Sequence, residues 1–156
     1  QERTPVFQGF NQYGKGVASY EELLAQRERM LARHPKTTFI LCHLSNQGND
    51  TGAVARLLDR FPNAYLDISA RDYEIGRQPR TAAAFLNRYR TRIMFGTDMG
   101  RDKSMYEAWW RLLETPDEYL PGRVWWMYYG LALPDATLKS IYRETALQVL
   151  QPTGQR

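Results

Sequence analysis

The sequence predicts an α/β fold with three parallel strands, at about 38–43, 64–69 and 92–97, covered by helices. Three observations lead there. The three stretches are short, apolar and almost unbroken, as strands buried on both faces must be. Amphipathic segments with helical spacing separate them, so helix and strand alternate three times. Each strand also ends in residues that can do chemistry, with His43 closing the first and Gly96-Thr97-Asp98 the last.

Residues 1–18 read as an irregular opening segment, broken by Pro5, Gly9, Gly14 and Gly16. Ser19 has the chemistry of an N-cap, and Glu22 three residues later completes a capping box. The helix Tyr20–Arg33 carries Leu23, Leu24, Arg27, Met30 and Leu31 at helical spacing, and Pro35 stops it. After the first strand a polar loop over 45–50 leads to a helix ending near Phe61, with Val54, Leu57 and Leu58 inward. Pro62-Asn63 turns the chain into the second strand. The charged loop 70–79 holds Arg71, Asp72, Glu74 and Arg77; the helix Arg80–Tyr89 then presents Ala84, Phe85 and Tyr89. Beyond Asp98 come an amphipathic helix, Met105–Glu114, with Trp109 and Trp110, and an aromatic segment over 123–130. A last helix from Pro134 aligns Leu138, Ile141, Tyr142, Ala146 and Leu150. The chain reads as one domain: the opening segment 1–18, βα units over 19–100, and a helical and aromatic extension over 101–156.

With 156 residues, 43% apolar and 24% charged, the chain can bury a sizeable core. No apolar run approaches the ~20 residues of a membrane span, so no membrane partner is expected. The formal net charge is +4, yet the cations are dispersed. Arg27, Arg29 and Arg33 share a helix with Glu21, Glu22 and Glu28, an ion-paired face that does not suit nucleic acid. The single cysteine, Cys42, excludes an internal disulfide and a cysteine zinc cluster, and its apolar strand makes it a small core residue. A chain opening on Gln1 is expected to have lost an upstream part, a leader included. That leaves the compartment open, with the cytoplasm favoured.

Three parallel strands make a thin sheet. Edges as apolar as Phe39-Ile40-Leu41 or Ile93-Met94-Phe95 invite another chain, which allows a homo-oligomer. A closed eight-stranded barrel typically needs about 250 residues. The C-terminal part of a barrel is therefore expected, with a complete small open sheet as the alternative.

Asp98 is the leading candidate for chemistry. A carboxylate at a barrel strand end can ligate a metal and accept a proton from an attacking water. The plainer alternative is a loop carboxylate bonded to backbone N–H groups. His43 can ligate a metal or polarise a substrate oxygen; alternatively it is a core imidazole satisfied by a backbone carbonyl. His34, at a helix end, suits the helix dipole and reads as structural. Asp67, Ser69 and Arg71 fall at the end of the middle strand and can face the same rim. Arg71, Arg77 and Arg80 can bind a substrate carboxylate through paired hydrogen bonds; alternatively Arg77 and Arg80 pair with Asp72 and Glu74 to fix the loop. The segment Trp125–Tyr129 can roof a pocket or meet another subunit; the expected role is core, packing the last helix.

Several stretches together resemble the amidohydrolase-related metal-dependent hydrolases, a group that includes the aminocarboxymuconate-semialdehyde decarboxylase-like enzymes. They are Arg33-His-Pro-Lys-Thr-Thr-Phe-Ile40 running into His43, Leu58 to Asp67, Gly76 to Arg80, Phe95-Gly-Thr-Asp98, and Leu131 to Leu150. The resemblance covers nearly the whole chain. It implies the C-terminal part of a metal-dependent (β/α)8 barrel, the three strands being its sixth, seventh and eighth. It further implies a divalent metal, zinc by expectation, with His43 and Asp98 as metal and catalytic residues, and Arg71, Arg77 and Ser69 toward a small carbonyl or carboxylate substrate. The family's first-strand His-x-His pair and fifth-strand histidine have no counterpart in this chain, and Leu44-Ser45-Asn46 stands where its glycine pair follows the sixth strand. The activity implied is hydrolysis of an amide, ester or lactone through a metal-bound water. Non-oxidative decarboxylation is one alternative. A catalytically incomplete barrel serving as an assembly module is the other.

Overall fold

A computed structural model describes residues 16, 18–100 and 102–150. The chain forms two compact units, 1–35 and 36–156. The expected opening segment lies outside the described residues apart from Gly16 and Ala18. In the first unit, helix α1 (Tyr20–Arg33) begins at Ser19, whose hydroxyl accepts from the Glu22 N–H at 3.1 Å, and gives way at His34, its C-cap. Leu23 and Met30 are exposed on α1, so the expected apolar stripe is narrower than its spacing suggests.

The second unit is mixed α/β, built on an open sheet of three parallel strands in the order β1-β2-β3. Strand β1 (Phe39–Leu41) pairs with β2 (Ala64–Asp67), and β2 with β3 (Ile93–Met94). Leu66 sits opposite Leu41 on one side and Ile93 on the other. All three strands are shorter than expected: β1 and β2 give way at their carboxyl ends to the turns that carry His43 and Ser69, and β3 is confined to Ile93–Met94. The first departure is α2 (Cys42–Ser45), a single turn of left-handed sense.

Helix α3 (Thr51–Arg60) is capped by Asp50, which accepts from the Ala53 N–H at 2.9 Å, and buries Val54, Leu57 and Leu58 as its periodicity requires. A short turn, α4 (Asp72–Ile75), interrupts the stretch read as loop. Helix α5 (Pro79–Arg88) buries Ala82, Phe85 and Leu86, with Tyr89 just beyond; Ala84 faces solvent instead. Helix α6 (Lys103–Glu114) turns Trp109 inward and leaves Trp110 exposed.

The terminal helix runs through α7 (Asp135–Lys139), a π turn (Ser140–Glu144) and α8 (Thr145–Leu150). The π turn adds one residue to the winding and rotates everything after it. Thr137, Ile141 and Thr145 consequently form the buried stripe, while Leu150 is exposed rather than inward. The Ile141 carbonyl also accepts from the Phe95 N–H at 2.9 Å, so the terminal helix covers the β3 edge that the sequence leaves bare. The Phe95 ring meets Trp109 and Tyr142 edge-on at 5.8 and 5.3 Å, tying β3, α6 and the terminal helix into one aromatic cluster.

The segment between α6 and α7 has almost no regular structure yet is stitched down. Gly130 donates to Asp117 at 2.7 Å, Leu131 to Leu112 at 2.8 Å and Leu133 to Leu113 at 2.9 Å. Only glycine fits at 130, since a Cβ there would overlap the Thr115 carbonyl. Tyr128 is buried, but Trp125, Trp126 and Met127 are exposed, Trp125 at 92%, so this aromatic run is not the core it was expected to be. Backbone hydrogen bonds between Leu120 and Tyr128 and from Tyr129 to the Gly76 carbonyl hold it, and Trp126 donates its Nε1–H to the Tyr73 carbonyl at 3.0 Å. No helix among the described residues is long and apolar enough to cross a membrane.

At the end of the sheet where the strands begin, Arg92 closes the structure. Its Nε donates to the Ala64 carbonyl at 2.9 Å and its Nη2 to the Phe61 carbonyl at 2.7 Å, and Nη2 also reaches Ala64. Arg92→Met is expected to lower the unfolding free energy by about 1–3 kcal/mol, since it removes these hydrogen bonds from the Ala64 and Phe61 carbonyls, as urea denaturation would show. Two tyrosines report on packing in a second way. Tyr142 donates to Glu114 at 2.9 Å and Tyr128 to Asp72 at 3.1 Å. Burial first, and the neighbouring carboxylate second, push both phenols well above the usual tyrosine range. The folded state keeps both protonated where the unfolded chain ionises, so their contribution is intact below about pH 10 and lost above it. Stability should fall between pH 10 and 11 in denaturant titrations, and Tyr142→Phe should flatten that fall.

Candidate active site

The strands end at one rim, and most of the described non-glycine residues with left-handed backbone lie there; Tyr119 and Ala132, between α6 and α7, are the others. His43, Leu44, Ser45 and Asn46 have φ of 59°, 47°, 57° and 57°; Ala70 follows β2 at 52° and Asp98 follows β3 at 55°. Each left-handed residue other than glycine costs about 1–2 kcal/mol, less for asparagine. Such strain persists only where surrounding contacts over-determine it, and it gathers at functional sites.

The contacts here are specific. Asp67, the last residue of β2, presents one carboxylate oxygen, Oδ1, to several donors. The His43 N–H reaches it at 2.8 Å, the Ser69 N–H at 3.0 Å, and the Ser69 hydroxyl also donates to it. Hydrogen bonds to a charged acceptor contribute about 1.5–3 kcal/mol each. The turn is closed further by Asn46 N–H to His43 carbonyl at 2.8 Å and by Leu44, whose side chain is fully buried. Arg71 reaches across from the next loop, donating to Asn46 Oδ1 at 2.9 Å and to the Tyr73 hydroxyl at 2.8 Å.

This scaffold fixes the His43 ring. Nδ1 lies 2.9 Å from the Ser69 carbonyl oxygen and 3.1 Å from Ser69 Oγ. The carbonyl can only accept, and the hydroxyl already donates to Asp67, so Nδ1 carries the hydrogen. Nε2 faces Asp98 Oδ2 at 3.9 Å and keeps a lone pair when the ring is neutral. The imidazole and the carboxylate that the sequence singles out thus open on a shared space. The Asp98 side chain is 60% exposed and that of His43 27%, so the imidazole is held and the carboxylate is free to move.

The chemistry of this pair suits a divalent cation: a neutral ring nitrogen oriented by its other N–H, beside a carboxylate. Two donors on one tetrahedral zinc would stand about 3.4 Å apart. The pair is slightly wider, a gap that a small shift of exposed Asp98 closes. Among the described residues no group of three or more His, Cys, Asp or Glu gathers that could hold a metal ion by itself.

The other predicted residues fall as follows. Ser69 is buried beneath His43, where its backbone and hydroxyl orient the ring. Arg71 also pairs with Glu74 at 3.5 Å, within the rim. Arg77 lies over the Trp126 ring, 4.9 Å from its centroid, and Arg80 is exposed at the start of α5. Asp72 is held by neither Arg77 nor Arg80; Arg123, 51 residues further on, grips it at 2.8 Å. Cys42 is exposed rather than core, because the chain leaves the strand at Leu41, before Cys42 is reached. Partial desolvation, then the Asp67 and Asp98 carboxylates, push its thiol up, which makes it a poor nucleophile.

A family model described as amidohydrolase matches residues 20–151. The chain therefore belongs to the amidohydrolase family, whose members usually bind divalent metals. Its three parallel strands in an open sheet are consistent with part of that family's barrel. No curated protein and no solved structure matches the chain.

Two substitutions separate scaffold from chemistry. Asp67→Ala should destabilise the second unit by about 2–4 kcal/mol, leaving the His43 and Ser69 donors without their acceptor. Asp98→Gly should leave stability unchanged or raise it by up to about 1 kcal/mol, since glycine relieves a left-handed residue that anchors nothing else. Chemical denaturation of both variants checks the contrast.

Proposed function

We propose that this chain carries the sixth- to eighth-strand rim of a metal-dependent hydrolase that acts on a carbonyl group of an amide, ester or lactone. The observation that carries the reading is the 3.9 Å approach of His43 Nε2 and Asp98 Oδ2, with the ring's other nitrogen locked by Ser69. His43 and Asp98 are the residues of this chain that would hold a zinc ion, the remaining donors coming from outside the described residues. Bound there, zinc would lower the pKa of a water toward about 7.

Asp98 accepts the proton of the attacking water and later returns it to the leaving group. Its exposure and lack of other strong partners let it turn between the two tasks. The locked His43 ring holds its place while Asp98 moves. Ser69 and Asp67 touch no reacting atom in this scheme; they set the tautomer and position of His43.

Isothermal titration with zinc chloride tests the reading. One-to-one saturable binding is expected, weakened roughly tenfold or more by Asp98→Ala and by His43→Ala, and unmoved by Cys42→Ser. No binding at micromolar zinc, or binding indifferent to both variants, overturns it. With a panel of esters, amides, lactones and carboxylic acids, carbon dioxide release without water uptake would assign decarboxylation in place of hydrolysis.

A further inference from the structure

Beside the rim, on the side of α6, lies a cleft of about 410 Å³. Its walls are Met99, Met105, Ala108, Trp109, Leu112 and Leu120. That volume is within the range of small-molecule sites, roughly 300–1,000 Å³. Met99 directly follows Asp98 in the chain, so the cleft begins one residue from the carboxylate proposed to react.

The charges around the cleft decide what it can take. Four charged residues line it: Asp72, Glu107, Arg111 and Arg123. Each is already in an ion pair. Asp72 and Arg123 hold each other at 2.8 Å, Glu107 meets Lys103 at 3.2 Å, and Arg111 meets Asp117 at 2.6 Å. Tyr128 adds its hydroxyl to Asp72 at 3.1 Å. A carboxylate or ammonium entering the cleft would have to compete with these pairs for its partner, whereas an uncharged apolar group only displaces water.

We infer that this cleft is a substrate subsite for an uncharged, apolar group, aromatic or branched aliphatic, attached to the carbonyl that Asp98 and His43 address. The substrate class is then a neutral ester, amide or lactone with a hydrophobic substituent, and not a dicarboxylic acid spanning both sites. The assignment rests on the reading of Asp98 as the reacting carboxylate, but occupancy of the cleft can be measured without turnover. Methionine suits such a wall, since its unbranched thioether adapts to differently shaped apolar groups.

The test is fluorescence titration with N-phenyl-1-naphthylamine, an uncharged aromatic probe, competed by neutral naphthalene and by 1-naphthoate. Saturable probe binding is expected, with naphthalene competing at least about tenfold better than naphthoate. Ala108→Trp fills the cleft from an exposed helical position and should weaken the probe about tenfold or more, with the fold checked by circular dichroism. Asp98→Ala should leave probe binding unchanged, so failure of the hydrolase reading and failure of the cleft are told apart. Equal binding in Ala108→Trp, stronger competition by naphthoate, or loss of the probe in Trp125→Ala, which would place it on the exposed indole, overturns the inference.

Discussion

One carboxylate oxygen organises the rim. Asp67 Oδ1 gathers the His43 N–H, the Ser69 N–H and the Ser69 hydroxyl, so the turn after β1 and the turn after β2 are fastened to the same atom. Ser69 in turn fixes the Nδ1 side of His43. The chain of cause runs from a β2 residue, through a serine two positions on, to the free nitrogen of an imidazole 24 positions upstream of Asp67. A carboxylate at 67 offers these three donors a stronger acceptor than a neutral amide would. The arrangement is a case of supporting groups defining the chemistry of the residue they hold.

The two ends of the sheet are built for different purposes. Where the strands begin, Arg92 satisfies backbone carbonyls and the geometry is relaxed. Where they end, the backbone turns left-handed at six non-glycine positions: His43 to Asn46, Ala70 and Asp98. Strain at one end is tolerable because burial and hydrogen bonding elsewhere offset it. Leu44 shows the balance on a single residue: its φ is unfavourable, and its side chain is completely buried. Glycines at 44 and 45 would adopt this turn without strain but would bury nothing. Asp98 is strained with no such burial, which fits a residue kept for chemistry.

Much of this was legible in the sequence, and the failures have physical causes. Periodicity located α1, α3 and the strands, since each buries a face whose spacing the chain displays directly. His43 and Asp98 were legible because an apolar strand that ends in a titratable residue leaves that residue at the rim. The left-handed turn was not: Leu44 and Ser45 are not of a type that favours positive φ, and the cause of the turn, Asp67, lies far along the chain. The exposed aromatic run was misread because aromatic content suggests burial, while backbone hydrogen bonds between Leu120 and Tyr128 and from Tyr129 to the Gly76 carbonyl do the anchoring. The terminal helix kept its length but lost its expected face, because a π turn has no composition signal and rotates the residues after it.

The same long-range pairing engages several of the cations behind the net charge of +4. Arg71 is engaged with Asn46, Tyr73 and Glu74; Arg77 lies on the Trp126 ring; Arg92 binds backbone carbonyls; Arg123 holds Asp72 and the Ala70 carbonyl. These cations fix loops, and the loops they fix carry the strained residues. Arg123 is the clearest example. Its bond to the Ala70 carbonyl holds a left-handed residue of the rim, and its pairing with Asp72 neutralises the floor of the cleft beside Asp98. One guanidinium therefore both supports the backbone geometry of the rim and removes the charge that would otherwise draw an ionic group into the cleft.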